Sequence, residues 1–486
     1  MTAARGGFEP GAGLSRVLGM RAATAGRDRT PQISGERAAP RQPRWVAAHA
    51  LAAGIDFDRY FRLRRARDGD PFLVRFPGFG AVLFTGTPGG TKELLRSPIG
   101  ILHPPQPNPI EPLIGSASLI LARDQRHRND RTVLAPAFHR ARIAQYGTVI
   151  RDSTRDELVG AGAGPAWLPG TVIDAQVAAR ALTLRVILTL IFGADDPLRR
   201  DTYTAAVGEF LSAFTGPLML VPALRRSAFG MSPWDRFARA RTRLDALLDA
   251  DIGARRATGT PDDGALGVLS SARYEDGSGV SDADLREQLR TLLVAGHETT
   301  ATSLVWALFR LHRDRGVLAR LRAELSAVGP DADPEELAGL PYLNAVCQET
   351  LRLHPPVPIV LRRLTGPHTV CGVELAEGDT MGVAIPLVHS DPGTWDESER
   401  FQPERFLDRR YGPFEYLPYG GGHRRCLGAT LADYELRIAL ATIVSRVELS
   451  LLPRYRHGRI PRSVPHNIAT GPHRGIRFTV EGIRHP

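Results

Sequence analysis

A single cysteine near the C-terminus, Cys426, stands in the run Tyr419-Gly420-Gly421-Gly422-His423-Arg424-Arg425-Cys426-Leu427-Gly428. Glycines beside a thiol let the backbone bend close to a flat ligand where a side chain would collide. Gly428 permits tight passage into a following helix, and Arg424 sets a fixed positive charge two residues from the thiol. A plainer reading makes Cys426 a small buried hydrophobe and the glycines a turn. A phosphate loop would need lysine and then serine or threonine after the glycines, and a zinc site a second Cys or His pair at ligand spacing. Neither is there. A lone thiol in this setting reads as a haem ligand, whose thiolate pushes electron density onto iron and favours O–O cleavage. The chemistry to expect is oxygen activation.

Three more groups of residues have types and spacings that could serve such a centre. Glu349 and Arg352 fall on one face of a helical pattern from Tyr342 to Leu353, followed by His354-Pro355-Pro356-Val357-Pro358 and later by Pro403-Glu404-Arg405-Phe406. A bare Glu-x-x-Arg is more often a surface pair worth a few tenths of a kcal/mol. Ala295-Gly296-His297-Glu298-Thr299-Thr300 lies midway along a helical stretch that opens with Ser281 and Asp284 as a capping box and stays apolar to about Leu311. Threonine inside a helix commonly bonds back to the carbonyl four residues earlier, so Thr299 on Ala295, beside Gly296, could mark only a packing kink. His127 and Arg131, four apart, share a helix face in an arginine-rich segment that would also suit solvent.

In this order along the chain the motifs resemble those of the cytochromes P-450, from about Asp56 to the C-terminus, with Tyr419 where phenylalanine is usual. The resemblance implies a mainly α fold with a small β-sheet portion, haem lying between a long central helix and the C-terminal cysteine loop. Cys426 would ligate the iron of haem b. His127, Arg131, Arg362 and Arg424 would reach the propionates, for which guanidinium groups offer bidentate recognition. Tyr419, Gly422, Gly428 and Ala295 would adjoin the cofactor. Thr299 would donate a hydrogen bond to the dioxygen being activated, and Glu298 would relay protons. Glu349, Arg352 and Arg405 would form a buried structural network. The substrate would meet the loop from Leu102 to Leu119, the region from Phe210 to Met219, the central helix at Leu292 and Gly296, the segment Val357 to Val360 including Ile359, and the turn at Ile468 and Ala469. The activity implied is insertion of one oxygen atom into a small lipophilic molecule, with secondary metabolism as a setting. The runners-up are a haem-thiolate enzyme using peroxide or rearranging its substrate, against which intact Glu298 and Thr299 weigh, and a haem protein that only senses a ligand.

Composition fits this reading. The 486 residues, 43% of them hydrophobic, can bury a large core, and motifs spread from His127 to Cys426 argue for one catalytic domain over residues 45–486. Residues 1–44, rich in Arg, Gly, Ala and Pro without an apolar core, read as a disordered extension and not a signal peptide. Cys347, Cys371 and Cys426 form no paired framework and suit a reducing cytoplasm. No apolar run approaches the ~18 residues of a membrane span. The net charge of +10 comes almost wholly from arginine, Lys92 being the one lysine, and it is dispersed among acids, which argues against nucleic acid as a partner. Arg425 and Arg437 near the cysteine would suit an acidic electron carrier. The chain ends too soon after Cys426 for a fused flavin reductase, so the resemblance implies a ferredoxin and its reductase, with the protein itself a monomer. Strand-like alternation is expected at Phe72 to Phe76, Ala81 to Phe84 and around Val370 to Val383.

Overall fold

Ser281 accepts a hydrogen bond from the Asp284 N–H and starts a 32-residue helix, Asp282–Arg313. Asp282 and Asp284 in its first turn and Arg310 and Arg313 in its last complement the helix dipole. At 1.5 Å per residue it runs about 48 Å and crosses the whole fold. The computed structural model describes residues 46–76, 80–161, 165–193, 197–258 and 264–484, together with Gln32 and Ile33. Apart from those two residues, which pair antiparallel with the strand Val373–Leu375, the extension expected at 1–44 lies outside the described residues.

The central helix is buried over most of its circumference by Ala175–Phe192, Pro233–Thr258, Pro341–Leu353 and Ala429–Arg446, which share one large apolar core with it. Ala175–Phe192 approaches most closely, because Gly296 has no side chain: a Cβ there would come 2.8 Å from Ile187 Cδ1. Contrary to the sequence reading, Ala175–Phe192 is long and apolar enough to span a membrane. Two-thirds of it (67%) is buried against its neighbours, however, and it carries Arg180 and Arg185, so it is a helix of the core.

Five strands form the main sheet in the order Phe72–Phe76, Gly80–Thr85, Thr380–Ala384, Ile359–Leu364, Leu102–His103. Only the Gly80–Thr85 and Thr380–Ala384 pair is parallel. Side chains alternate across a strand, so Ile359 and Leu361 pack on an aromatic cluster of Phe57, Phe61, Phe72 and Phe84, while Val360 packs with Leu95, Met381 and Leu417 on the opposite face. Ile359 and Val360 thus sit on opposite faces of the sheet. The fold is mainly α with small sheets, as expected.

Candidate active site

The cysteine loop is held by its own backbone and by one leucine. The Cys426 N–H donates to the Tyr419 carbonyl at 3.0 Å, closing the loop at its neck. Gly420 and Gly422 have φ of 67° and 69°, a region other residues reach at a cost. A Cβ on Gly421 would stand 2.7 Å from Leu95 Cδ1, and one on Gly422 3.0 Å from the Leu95 carbonyl oxygen. These two glycines thus answer to Leu95 behind the loop as well as to the bend itself. Gly428 differs from its expected part: its φ is negative and a Cβ would make only ordinary contact with Phe138 at 3.7 Å. Its backbone N–H instead favours the Cys426 thiolate. Burial pushes the thiol up, and the Gly428 amide, Arg425 and Arg131 counter it. Cys426 keeps accessible surface although protein surrounds it, as a group lining an internal hollow does.

Helix Asp124–Leu134 brings His127 and Arg131 beside this loop, as the i, i+4 spacing predicts. His127 meets His423 edge-to-face at 5.8 Å. Burial and then Arg424 push His127 down to about 3, and burial and then Arg424 push His423 down to about 4. Burial lowers both Arg362 and Arg424 to about 10. Arg424 Nη2 donates to the Ala122 carbonyl at 2.5 Å, and its buried Nε has no hydrogen-bond partner. No acidic side chain among the described residues forms an ion pair with Arg131, Arg362 or Arg424. A cluster of part-buried cations with an orphaned N–H is suited to an anion from outside the chain. Two propionates beside a thiol fit these residues. His423 is the member of this group that the sequence reading set aside.

Behind the loop, Glu349 and Arg352 are essentially without solvent contact, so the surface-pair reading fails. Arg352 grips both oxygens of Glu349 through Nε at 2.7 Å and Nη2 at 2.8 Å. Arg405 Nε and the Gln402 N–H reach Glu349 Oε1 at 3.2 and 2.9 Å. His389 extends the network. Its Nε2 accepts from the Leu417 N–H at 2.9 Å, which leaves Nδ1–H to donate to the Arg352 carbonyl at 3.0 Å. The buried network is thus tied to the segment entering the cysteine loop. His389 and Gln402 carried no sequence signal, since each is linked to its partners only by the fold.

On the central helix, Leu292, Ala295, Gly296 and Thr299 are only half-buried while the residues between them are buried. That spacing of three and four is a single stripe, and it is the one expected to face the cofactor and substrate. Thr299 Oγ1 donates to the Ala295 carbonyl at 2.7 Å, the back-bonded state weighed above. Gly296 serves the contact with Ile187 as much as the stripe. Glu298 is buried and paired with Arg180 Nη2 at 3.1 Å, the arginine being 42% exposed at the other end of this link. The loop after Leu102 is pinned to the same helix: the Ala117 and Leu119 N–H groups donate to Glu287 and Gln288 at 2.6 and 3.1 Å. Arg225 ties it to the Gly216–Leu220 helix, donating to the Pro109 and Leu218 carbonyls at 2.9 and 2.8 Å. Ile468 packs at a hairpin tip against the main core, and Val357 is 38% exposed. Arg437, expected on an open docking face, turns its guanidinium onto the Ala338 carbonyl, whereas Arg425 is exposed.

Residues 100–474 match the family model described as cytochrome P450. The chain is 36% identical over 433 residues to cytochrome P450 135B1 of Mycobacterium tuberculosis, covering 88% of each. It is 31% identical over 479 residues to cytochrome P450 137 of the same species, covering 96% of each. Among solved structures, the retinoic acid-bound cyanobacterial CYP120A1 superposes with a TM-score of 0.77 at 25% identity, over 89% of this chain and 96% of that one. The chain therefore belongs to the cytochrome P450 family and is a haem-thiolate monooxygenase using haem b.

Proposed function

We propose that the protein inserts one atom of dioxygen into a small lipophilic substrate of secondary metabolism, with electrons from NAD(P)H passed by a ferredoxin reductase and a ferredoxin in the cytoplasm. The observation that carries this reading is the stripe of Leu292, Ala295, Gly296 and Thr299, an accessible and largely apolar strip on an otherwise buried helix. When bound, haem supplies the oxygen-activating iron, with Cys426 as its thiolate and His127, Arg131, Arg362 and Arg424 on its carboxylates. The chain's own contribution is to hold and move protons. Thr299 Oγ accepts freely through its lone pairs, and rotation about χ1, which threonine tolerates in a helix, frees its proton to point away from Ala295. The Arg180–Glu298 pair links the buried carboxylate to a partly exposed guanidinium, a route by which protons from solvent reach the stripe. That pairing favours a dioxygen-dependent enzyme over a peroxide-dependent one or a sensor. Leu292, Val357, Val360 and Ile468 supply the apolar substrate surface.

The test is a screen of lipophilic compounds, elongated retinoid-like acids among them, for a shift in haem spin state. Hits are then incubated with ferredoxin, its reductase, NADPH and labelled dioxygen. One labelled atom in the product supports the reading. Turnover with peroxide alone, or binding without turnover by any redox partner, overturns it.

A further inference from the structure

Tyr419 and Asp433 form a pair directly behind the cysteine loop. The Tyr419 hydroxyl donates to Asp433 Oδ1 at 2.6 Å, while the Tyr419 carbonyl accepts the Cys426 N–H at 3.0 Å, so one residue touches both the acid and the backbone of the ligand. Asp433 lies seven residues past Cys426, on the helix Ala429–Arg446. Among the described residues its side chain forms no ion pair, and Tyr419 is its one hydrogen-bond donor. Arg437 bonds the main-chain carbonyl of Asp433 at 3.0 Å and not its carboxylate, and Arg425 lies 5.8 Å over the Tyr419 ring. Burial pushes the carboxyl up, and the Tyr419 hydroxyl, Arg437 and Arg425 oppose that, favouring its charge. The same charge acts on Cys426, where it works against the thiolate.

We propose that Asp433, held by Tyr419, is a positioning residue for the thiolate's electronics: an enclosed negative charge that disfavours adding an electron to the haem and lowers its reduction potential. A fixed like charge in a poorly screened interior raises the free energy of any step that adds negative charge nearby. Tyr419, where phenylalanine is usual, supplies the hydroxyl that keeps Asp433 charged against burial. The proposal rests on haem being bound through Cys426. The step concerned is the one-electron reduction of ferric to ferrous haem, the electron coming from the redox partner.

Spectroelectrochemical titration of the haem-loaded full chain tests it. Asp433→Asn should raise the ferrous-to-ferric ratio at a fixed potential about tenfold, which is about 59 mV for one electron. Tyr419→Phe, which removes the donor that favours the charged carboxyl, should raise the potential in the Asp433 background and leave it unmoved in the Asp433→Asn background. Equal potentials for Asp433→Asn and the parent overturn the proposal. Should Asp433→Asn retain no haem, Tyr419→Phe decides alone, and an unchanged or lowered potential overturns it. The reduced carbonyl spectrum, recorded on the same samples, separates the two claims. A thiolate-type band with unmoved potentials refutes Asp433's role only, whereas its absence in the parent refutes ligation by Cys426.

Discussion

Cys426 combines three features no other cysteine of the chain shares: an N–H bond to Tyr419, a Gly428 amide that favours its thiolate, and Arg131 and Arg425 doing the same. Cys347 is buried, its thiol pushed up by burial first. Cys426→Ser should therefore abolish the red-shifted Soret band of the reduced carbonyl complex, and Cys347→Ser should preserve it. The reverse pattern would move the ligand elsewhere. Thr299→Ala removes a hydroxyl whose structural bond is a single contact to Ala295, so haem and substrate binding should change little. A positioned proton donor is worth roughly 10²–10⁴-fold, so product per NADPH should fall and hydrogen peroxide rise. Unchanged coupling with the true substrate would remove Thr299 from the chemistry. Residues of this kind were legible because type and short-range spacing survive in the sequence. Arg180 was not, since it meets Glu298 across 118 residues, and neither was the use of the Tyr419 hydroxyl, which needs Asp433 in space.

Between elements, the helix Pro341–Leu353, the segment from His389 to Arg405 and the cysteine loop act as one piece because their junction is ionic and dry. Removing one partner of a buried, hydrogen-bonded charge network leaves the others unpaired and costs about 3–5 kcal/mol. Glu349→Ala exposes two guanidiniums and the Gln402 N–H to that penalty. It should yield little haem-loaded protein and a clearly lowered melting temperature, whereas a variant that loads haem and melts normally would show the network to be dispensable. Element positions were largely legible: the central helix through Ser281 and its apolar run, Pro341–Leu353 almost to the residue, and the strand Phe72–Phe76. The face each strand residue takes was not. Ile359 and Val360 are both apolar, and only the sheet's two unlike neighbours separate them. The helix Ala175–Phe192 was passed over because Arg180 and Arg185 interrupt its apolar residues, although one reaches Glu298 and the other Asp156.

Over the whole molecule, several histidines are enclosed as neutral groups, and this sets how stability responds to acid. Burial pushes His297 down to about 4 and His389 to about 3, and drives His354 well below the usual range. In the unfolded chain each would take a proton near pH 6.5. Between that pH and about 4 the unfolded state thus binds more protons than the folded one, so stability is present above about 6.5 and is lost as the pH falls. Glu435 works the other way. Burial holds its carboxyl protonated well above the usual carboxylate range, so the folded state binds the extra proton there. His127, His312 and His423 are held down in the same way, so six histidines contribute a slope of falling stability as the pH drops from about 6.5 to 5, which raised carboxyls such as Asp433 and Glu435 oppose. Urea unfolding of the haem-loaded protein at a series of pH values from 7 to 5 measures this slope. His389→Gln should reduce it by about one proton equivalent whatever it does to the midpoint, because lost packing changes stability by the same amount at every pH. A stability that stays flat from pH 6.5 to 5 would mean that these histidines already take up their protons in the folded state.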